Sequence, residues 1–217
     1  MPHSPIHPFA PACAVRGPSR RRLLMALAAA SSLSLVACDG PVSGGSSFKG
    51  IDITGANYAR GFTLTDFHGQ ARSLADFRGK VVMLYFGFVQ CPDVCPTALT
   101  RAAAVMQQLG PLATDVQVIF ITVDPERDTP DLLREYLASF HPSFLALTGS
   151  ADQIKAAADE FRVYFKKVPT GSSYTMDHTA LSYLFDRQGR IRVVLRHEQT
   201  ADDYAADIRQ LLAMPSA

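Results

Sequence analysis

Two thiols four residues apart carry the first chemistry in this chain. Cys91-Pro92-Asp93-Val94-Cys95-Pro96 lies between an almost wholly apolar run, Val81 to Phe88, and a run of good helix formers, Thr97 to Gln108. The first run, β-branched and aromatic, suits a central strand covered on both faces. The second suits a helix, with Pro96 as its first residue and Gly110-Pro111 as its stop. Sulfurs placed where a strand hands over to a helix N-terminus meet partial positive charge, which favours thiolate over thiol. With the spacer near helical, the two Cα atoms are about 6 Å apart, within disulfide range. The same approach lets both sulfurs reach one ion, and two thiolates make a soft site that prefers Cu(I), with Zn(II) also possible. A structural disulfide is the plainer use of such a pair in an oxidising compartment. Against it, so short a loop constrains the unfolded chain little, and a chain of this size needs no staple.

Two sulfurs leave coordination positions open, so a third donor is expected. His68 lies in a hairpin turn, His141 at a helix end before Pro142 and His197 just after a strand, where solvated or capping roles suffice. His178 ends a long loop, Pro169 to His178, and directly precedes a strand expected to neighbour Val81–Phe88. That position makes it the candidate third ligand, with Asp177 expected to orient its ring as an outer partner. Met176 is a further soft donor nearby, although a methionine in a loop ordinarily packs.

The elements around these groups alternate. Phe62–Leu64 and Ala71–Ser73 flank a turn at His68-Gly69 and predict a small hairpin. Leu74 to Gly79 predicts a helical turn leading into the central strand. Val116–Val123 is a second apolar strand, ending in the polar loop Asp124–Pro130 before a helix, Asp131–Phe140. That loop either lines a docking face or supplies the acids and prolines that start the helix. Phe144–Leu147 predicts a short strand, Ser150–Phe161 a helix capped by Ser150, and Tyr164–Val168 another strand. Ala180–Phe185 and Ile191–Arg196, joined through Arg187-Gln188-Gly189, predict a hairpin, and Ala201–Met214 a closing helix. The result is an α/β, thioredoxin-like fold: a mixed central sheet, helices on both faces and an N-terminal β-hairpin extension.

Composition bounds the function. The 217 residues are 47% hydrophobic and 19% charged, globular, with a formal net charge of +1. Residues 1–37 contain Arg16, Arg20, Arg21 and Arg22 and no acid, so without them 17 bases face 20 acids, a net of −3. A slightly acidic protein with no basic run is a poor partner for nucleic acid. The basic cluster precedes an apolar run, Leu23 to Ala37, shorter than the roughly 20 residues a spanning helix needs. Leu35-Val36-Ala37-Cys38 resembles a bacterial lipobox, which makes 1–37 a lipoprotein-type signal peptide and Cys38 the lipidated first residue; the alternative is an ordinary signal or an uncleaved anchor. Ser19 to Leu24 also resembles a twin-arginine signal, and a plain basic segment looks the same. Asp39 resembles the residue that retains lipoproteins at the inner membrane. Residues 38–50, rich in Gly and Ser, predict a flexible tether, and 51–217 the folded domain.

Three ordered motifs, Phe86 to Thr97, Thr122 to Pro130 and Asp177-His178-Thr179, closely resemble the Sco/SenC family over about residues 60–215. The resemblance implies a membrane-anchored, copper-binding protein, with Cys91, Cys95 and His178 as ligands to Cu(I) or Cu(II). It further implies a role in assembling the dinuclear copper centre of cytochrome c oxidase. The partners implied are the copper-bearing oxidase subunit and a periplasmic copper donor, and the place is the periplasmic face of the inner membrane. The rival is a thiol–disulfide oxidoreductase or redox sensor using Cys91 and Cys95. Against that rival, C-x-x-x-C replaces C-x-x-C, and Ala180 stands where such enzymes usually place a proline. A peroxiredoxin pattern fits neither cysteine.

Overall fold

The computed structural model describes residues 48–215. The expected signal peptide, Cys38 and the tether as far as residue 47 lie outside the described residues. No helix among the described residues is long and apolar enough to cross a membrane.

The chain opens with β1 (Ile51–Asp52), then the expected hairpin β2 (Thr63–Asp66) and β3 (Ala71–Ser73), then a short 3-10 turn, Leu74–Phe77. The central strand β4 (Val81–Gly87) leads to α1 (Val94–Leu109), and β5 (Val116–Thr122) leads to α2 (Pro130–Ala138). Next come β6 (Leu145–Thr148), α3 (Ala151–Glu160), β7 (Phe165–Thr170) and β8 (Ser173–His178). The pair β9 (Leu181–Phe185) and β10 (Ile191–Arg196) precedes the closing helix α4 (Ala201–Ala213).

Among the described residues, the main sheet runs β1-β10-β9-β4-β5-β6-β2-β3. β4, β5 and β6 are parallel, and β9 pairs antiparallel with β4. Every residue of β4 is buried, and successive side chains point to opposite faces, so both faces of the sheet are covered there. α1 packs with α4, while α2 and α3 lie against β6 and β2. Phe86, Phe161, Tyr183 and Phe185 form an aromatic knot around the fully buried Phe161 ring. Helix starts follow side-chain caps: Ser150 and Thr200 each accept the amide three residues on, inside reciprocal capping boxes.

Two expectations need correction where they touch the site. α1 begins at Val94, so Pro96 is its third residue and not its first. The amides of a first helical turn have no partner within the helix, so a residue lacking N–H is tolerated throughout that turn. The segment Pro169–His178 is also not a loop. β7 runs on to Thr170, a two-residue turn led by Gly171 at φ +62° reverses the chain, and β8 returns to His178. This ribbon pairs Phe165 with His178 and is hydrogen-bonded to neither edge of the main sheet.

Candidate metal centre

The strand-to-helix junction explains the first thiol. Asp93 occupies the N-cap position of α1, yet its side chain makes no capping bond. Cys91 takes that role: its Sγ accepts the amide of Cys95 at 3.3 Å. The Cys91 thiol is pushed down to about 4, first because the Cys95 side chain hydrogen-bonds to its sulfur. His178 and the amides of Cys95 and Asp93 act in the same sense, against partial burial. Helix amides facing a sulfur stabilise its anion. Cys95 responds oppositely: its bond to Cys91, then burial and the neighbouring charge, push its thiol well above the ordinary range. The pair shares one proton, held on the inner sulfur. Both cysteines are free thiols, Cys91 8% exposed and Cys95 0%.

The inner sulfur fits because the strand before it ends in glycine. A Cβ on Gly87 would stand 2.9 Å from Cys95 Sγ and 2.7 Å from the Phe120 ring. Gly87 read only as part of an apolar strand in the sequence, and its neighbours show it to be a clearance. Gly87→Ala is expected to destabilise the reduced protein by about 1–3 kcal/mol through overpacking, and to displace Cys95. A denaturant melt with copper titration of the variant checks this, and an unchanged midpoint would refute it.

His178 arrives from β8, and its Nε2 lies 3.5 Å from Cys95 Sγ. Its Nδ1 lies 3.1 Å from the carbonyl oxygen of Thr179. A carbonyl only accepts, so Nδ1 carries a proton and Nε2 is the nitrogen turned toward the sulfurs. The rings of Tyr85 and Phe88 meet the imidazole edge-on, with centroids 6.0 and 5.9 Å away, and wall it from two sides. Asp177 was expected to orient this ring, but the Thr179 carbonyl does so. Alternation along β8 turns Asp177 to the other face, where it is exposed. Met176 shares the His178 face, is 6% exposed, and lines one shallow cavity with Phe88, Cys91, His178 and Ala180.

The donor atoms of Cys91, Cys95 and His178 all lie within 4.8 Å of one another, the grouping with metal-ligand geometry among the described residues. Of the other histidines, His141 bonds Ser143 at a helix end and His68 packs on Phe67 in its turn.

The loop after β5 starts α2, as one of its two readings has it, but through Thr129 and Pro130 and not through its acids. Thr129 caps α2 and Pro130 is its first residue. Two of its three acids are withdrawn from solvent, Asp124 and Asp128 at 1% exposed each, while Glu126 is exposed. Asp128 Oδ2 accepts the Thr122 hydroxyl at 2.6 Å and the Val89 amide at 3.1 Å, which ties this loop to the turn before Cys91. Burial pushes its carboxyl up to about 6.

The SCO1/SenC family profile matches residues 52–213. The chain is 41% identical over 132 residues to the SCO2-like protein RP587 of Rickettsia prowazekii, covering 59% of this chain and 64% of that protein. It thus spans less than two thirds of that relative's length. Among solved structures, Bradyrhizobium japonicum ScoI with copper bound is similar at 44% identity and a TM-score of 0.65, covering 70% of this chain and 97% of that one. A SCO1/SenC family lipoprotein from Bacillus anthracis is similar at 26% identity and a TM-score of 0.62, covering 70% and 93%.

Proposed function

Because the chain belongs to the SCO1/SenC family, we propose that it is a membrane-anchored copper-binding protein serving the dinuclear copper site of cytochrome c oxidase. It delivers copper to that site or prepares its thiols. The observation that carries this is the convergence of two sulfurs and one imidazole within 4.8 Å. The copper in the similar Bradyrhizobium structure supports the choice of ion, as does the preference of thiolates for soft ions.

Copper is cargo here. Cu(I) sits between Cys91 and Cys95, with or without His178, and Cu(II) takes His178 as well. Cys91 already holds its charge, so loading displaces the single shared proton from Cys95. Oxidised to a disulfide, the sulfurs offer no anionic ligand, which gates binding by redox state. Release proceeds by ligand exchange with the copper-bearing oxidase subunit, and Cys91 at the cavity mouth is the sulfur an incoming donor meets first. Lipidation at Cys38 would tether the domain at the periplasmic face of the inner membrane, within reach of a periplasmic copper donor. The similar Bacillus anthracis protein, a lipoprotein, supports the lipid anchor.

Titration of the reduced protein with copper, then transfer to an oxidase copper-site domain, tests the proposal. One copper should bind, and His178→Ala should weaken Cu(II) by about 100-fold, a quarter of a four-ligand site's free energy, with altered thiolate-to-Cu(II) charge transfer. An unchanged spectrum and affinity would remove His178 from the ligand set.

A second reading, thiol–disulfide exchange, is favoured by the unequal thiols. The Cys91 thiolate would attack a partner disulfide and release one partner thiolate. Cys95 would then break the mixed disulfide, passing two electrons to the partner and leaving Cys91–Cys95 oxidised, to be restored by an external dithiol. Turnover of an oxidised copper-site peptide without copper would promote this reading.

A further inference from the structure

We infer that Arg127 is the positioning residue that clamps the His178 ribbon onto the cysteine loop. The inference rests on the copper-binding reading for its consequence but not for its geometry. Arg127 Nη1 donates at once to Gln90 Oε1, 3.0 Å away beside Cys91, and to the backbone oxygen of Tyr174 on β8, 2.8 Å away. Its guanidinium lies 3.7 Å from the centre of the Tyr174 ring, and its Nε pairs with the buried Asp124. The Tyr174 hydroxyl donates to the other Asp124 oxygen at 2.9 Å, closing the ring of contacts. Tyr174 and His178 lie four residues apart on one strand, hence on one face.

The ribbon needs such an anchor. A two-stranded ribbon outside the main sheet has little stability of its own. Its other polar attachments among the described residues are the 3.5 Å contact of His178 with Cys95, the bonds between residues 164 and 179 at its base and the exposed Lys167–Glu126 pair, and an exposed pair contributes little. The Arg127 side chain is only 16% exposed and Asp124 1%, so their contacts act in a desolvated setting. The fork of a guanidinium makes this bridge possible, because one planar group stacks on a ring while its N–H groups reach divergent acceptors. Arg127 therefore fixes how His178 stands over the sulfurs without touching the ion.

Arg127→Lys tests this, since it keeps a charge beside Asp124 and loses the fork. In the reduced, copper-free protein, amide exchange across 173–178 should accelerate about tenfold or more. Cu(II) affinity should fall about 10- to 100-fold, while Cu(I) held by the two sulfurs changes less than about twofold. The Cu(II) loss should vanish in a His178→Ala background, because the residue acts through that ring. A loss that simply adds to that of His178→Ala, or β8 protection equal to the parent's, overturns the inference. Should the parent bind no copper while Arg127→Lys still loosens β8, the copper reading fails and the clamp stands. If Arg127→Lys does not fold, Gln90→Ala, which cuts only the arm to the cysteine loop, takes its place, with an expected Cu(II) loss of about 3- to 10-fold.

Discussion

Replacing Cys91 or Cys95 by serine is expected to lower copper affinity about 100-fold or more, and replacing both to abolish binding. A structural zinc site gains about 10–16 kcal/mol from its four ligands, so one thiolate is worth about 3 kcal/mol, which is roughly 100-fold. A serine hydroxyl does not restore this, because it neither ionises near neutral pH nor matches a soft ion. The two single variants should differ in what else they lose. Cys91→Ser also removes the anion that caps α1 through the Cys95 amide, whereas Cys95→Ser puts a hydroxyl into a fully buried site under Gly87. Competition titration against a Cu(I) chelator measures the loss, and rescue of oxidase assembly in a strain lacking the protein gives its cellular counterpart. A double variant that still rescues assembly would sink both copper delivery and thiol exchange, since each needs these sulfurs.

The sequence disclosed the site better than it disclosed the supports of the site. An apolar run, a C-x-x-x-C spacing and a helix-forming run each carry a strong local signal, so β4, the thiols and α1 were legible within a few residues. β7 was legible as Tyr164–Val168, but β8 was hidden because its residues are largely polar, which weakens period-two patterning to the point where only Gly171 marks the turn. Asp177 was assigned the ring of His178 by adjacency alone, and strand alternation sent it the other way. Gly87, Arg127 and Asp128 act through contacts with residues distant in the chain. No spacing rule reports the nearness of Cys95 to Gly87, or of Arg127 to Gln90 and Tyr174. Asp124 to Pro130 read equally as a docking face or as a helix start, and two of its acids, Asp124 and Asp128, prove to be spent on neighbours inside the fold.

Of Cys91 and Cys95, alkylation of the reduced protein should modify Cys91 almost alone, at a rate nearly flat from about pH 6 to 8, whereas an ordinary thiol of pKa about 8.5 speeds up by about 75-fold over that range. The flat profile follows from a Cys91 thiol held down at about 4, already ionised throughout the window. Absolute rate is a poor test. At pH 6 an ordinary thiol is about 0.3% thiolate, which favours Cys91 roughly 300-fold. A lower pKa also makes a weaker nucleophile, and a Brønsted slope of about 0.4–0.5 returns roughly 100-fold of that advantage. The shape of the profile therefore carries the assignment. Cys95, fully buried with its thiol pushed upward, should account for about 1% of adduct or less at pH 7. His178→Ala should move the Cys91 profile to higher pH, because the histidine's bond to that sulfur helps hold the anion. The same anion sets the sign for stability. A folded value depressed below the unfolded one contributes stability above about pH 8.5, and that contribution is lost as pH falls toward about 4. The stability gap between the reduced parent and Cys91→Ser should accordingly narrow on acidification. A rate that climbs tenfold per pH unit through neutrality, or adduct found first on Cys95, would reverse the roles of the two sulfurs, and with them the order in which a partner's donors reach the metal.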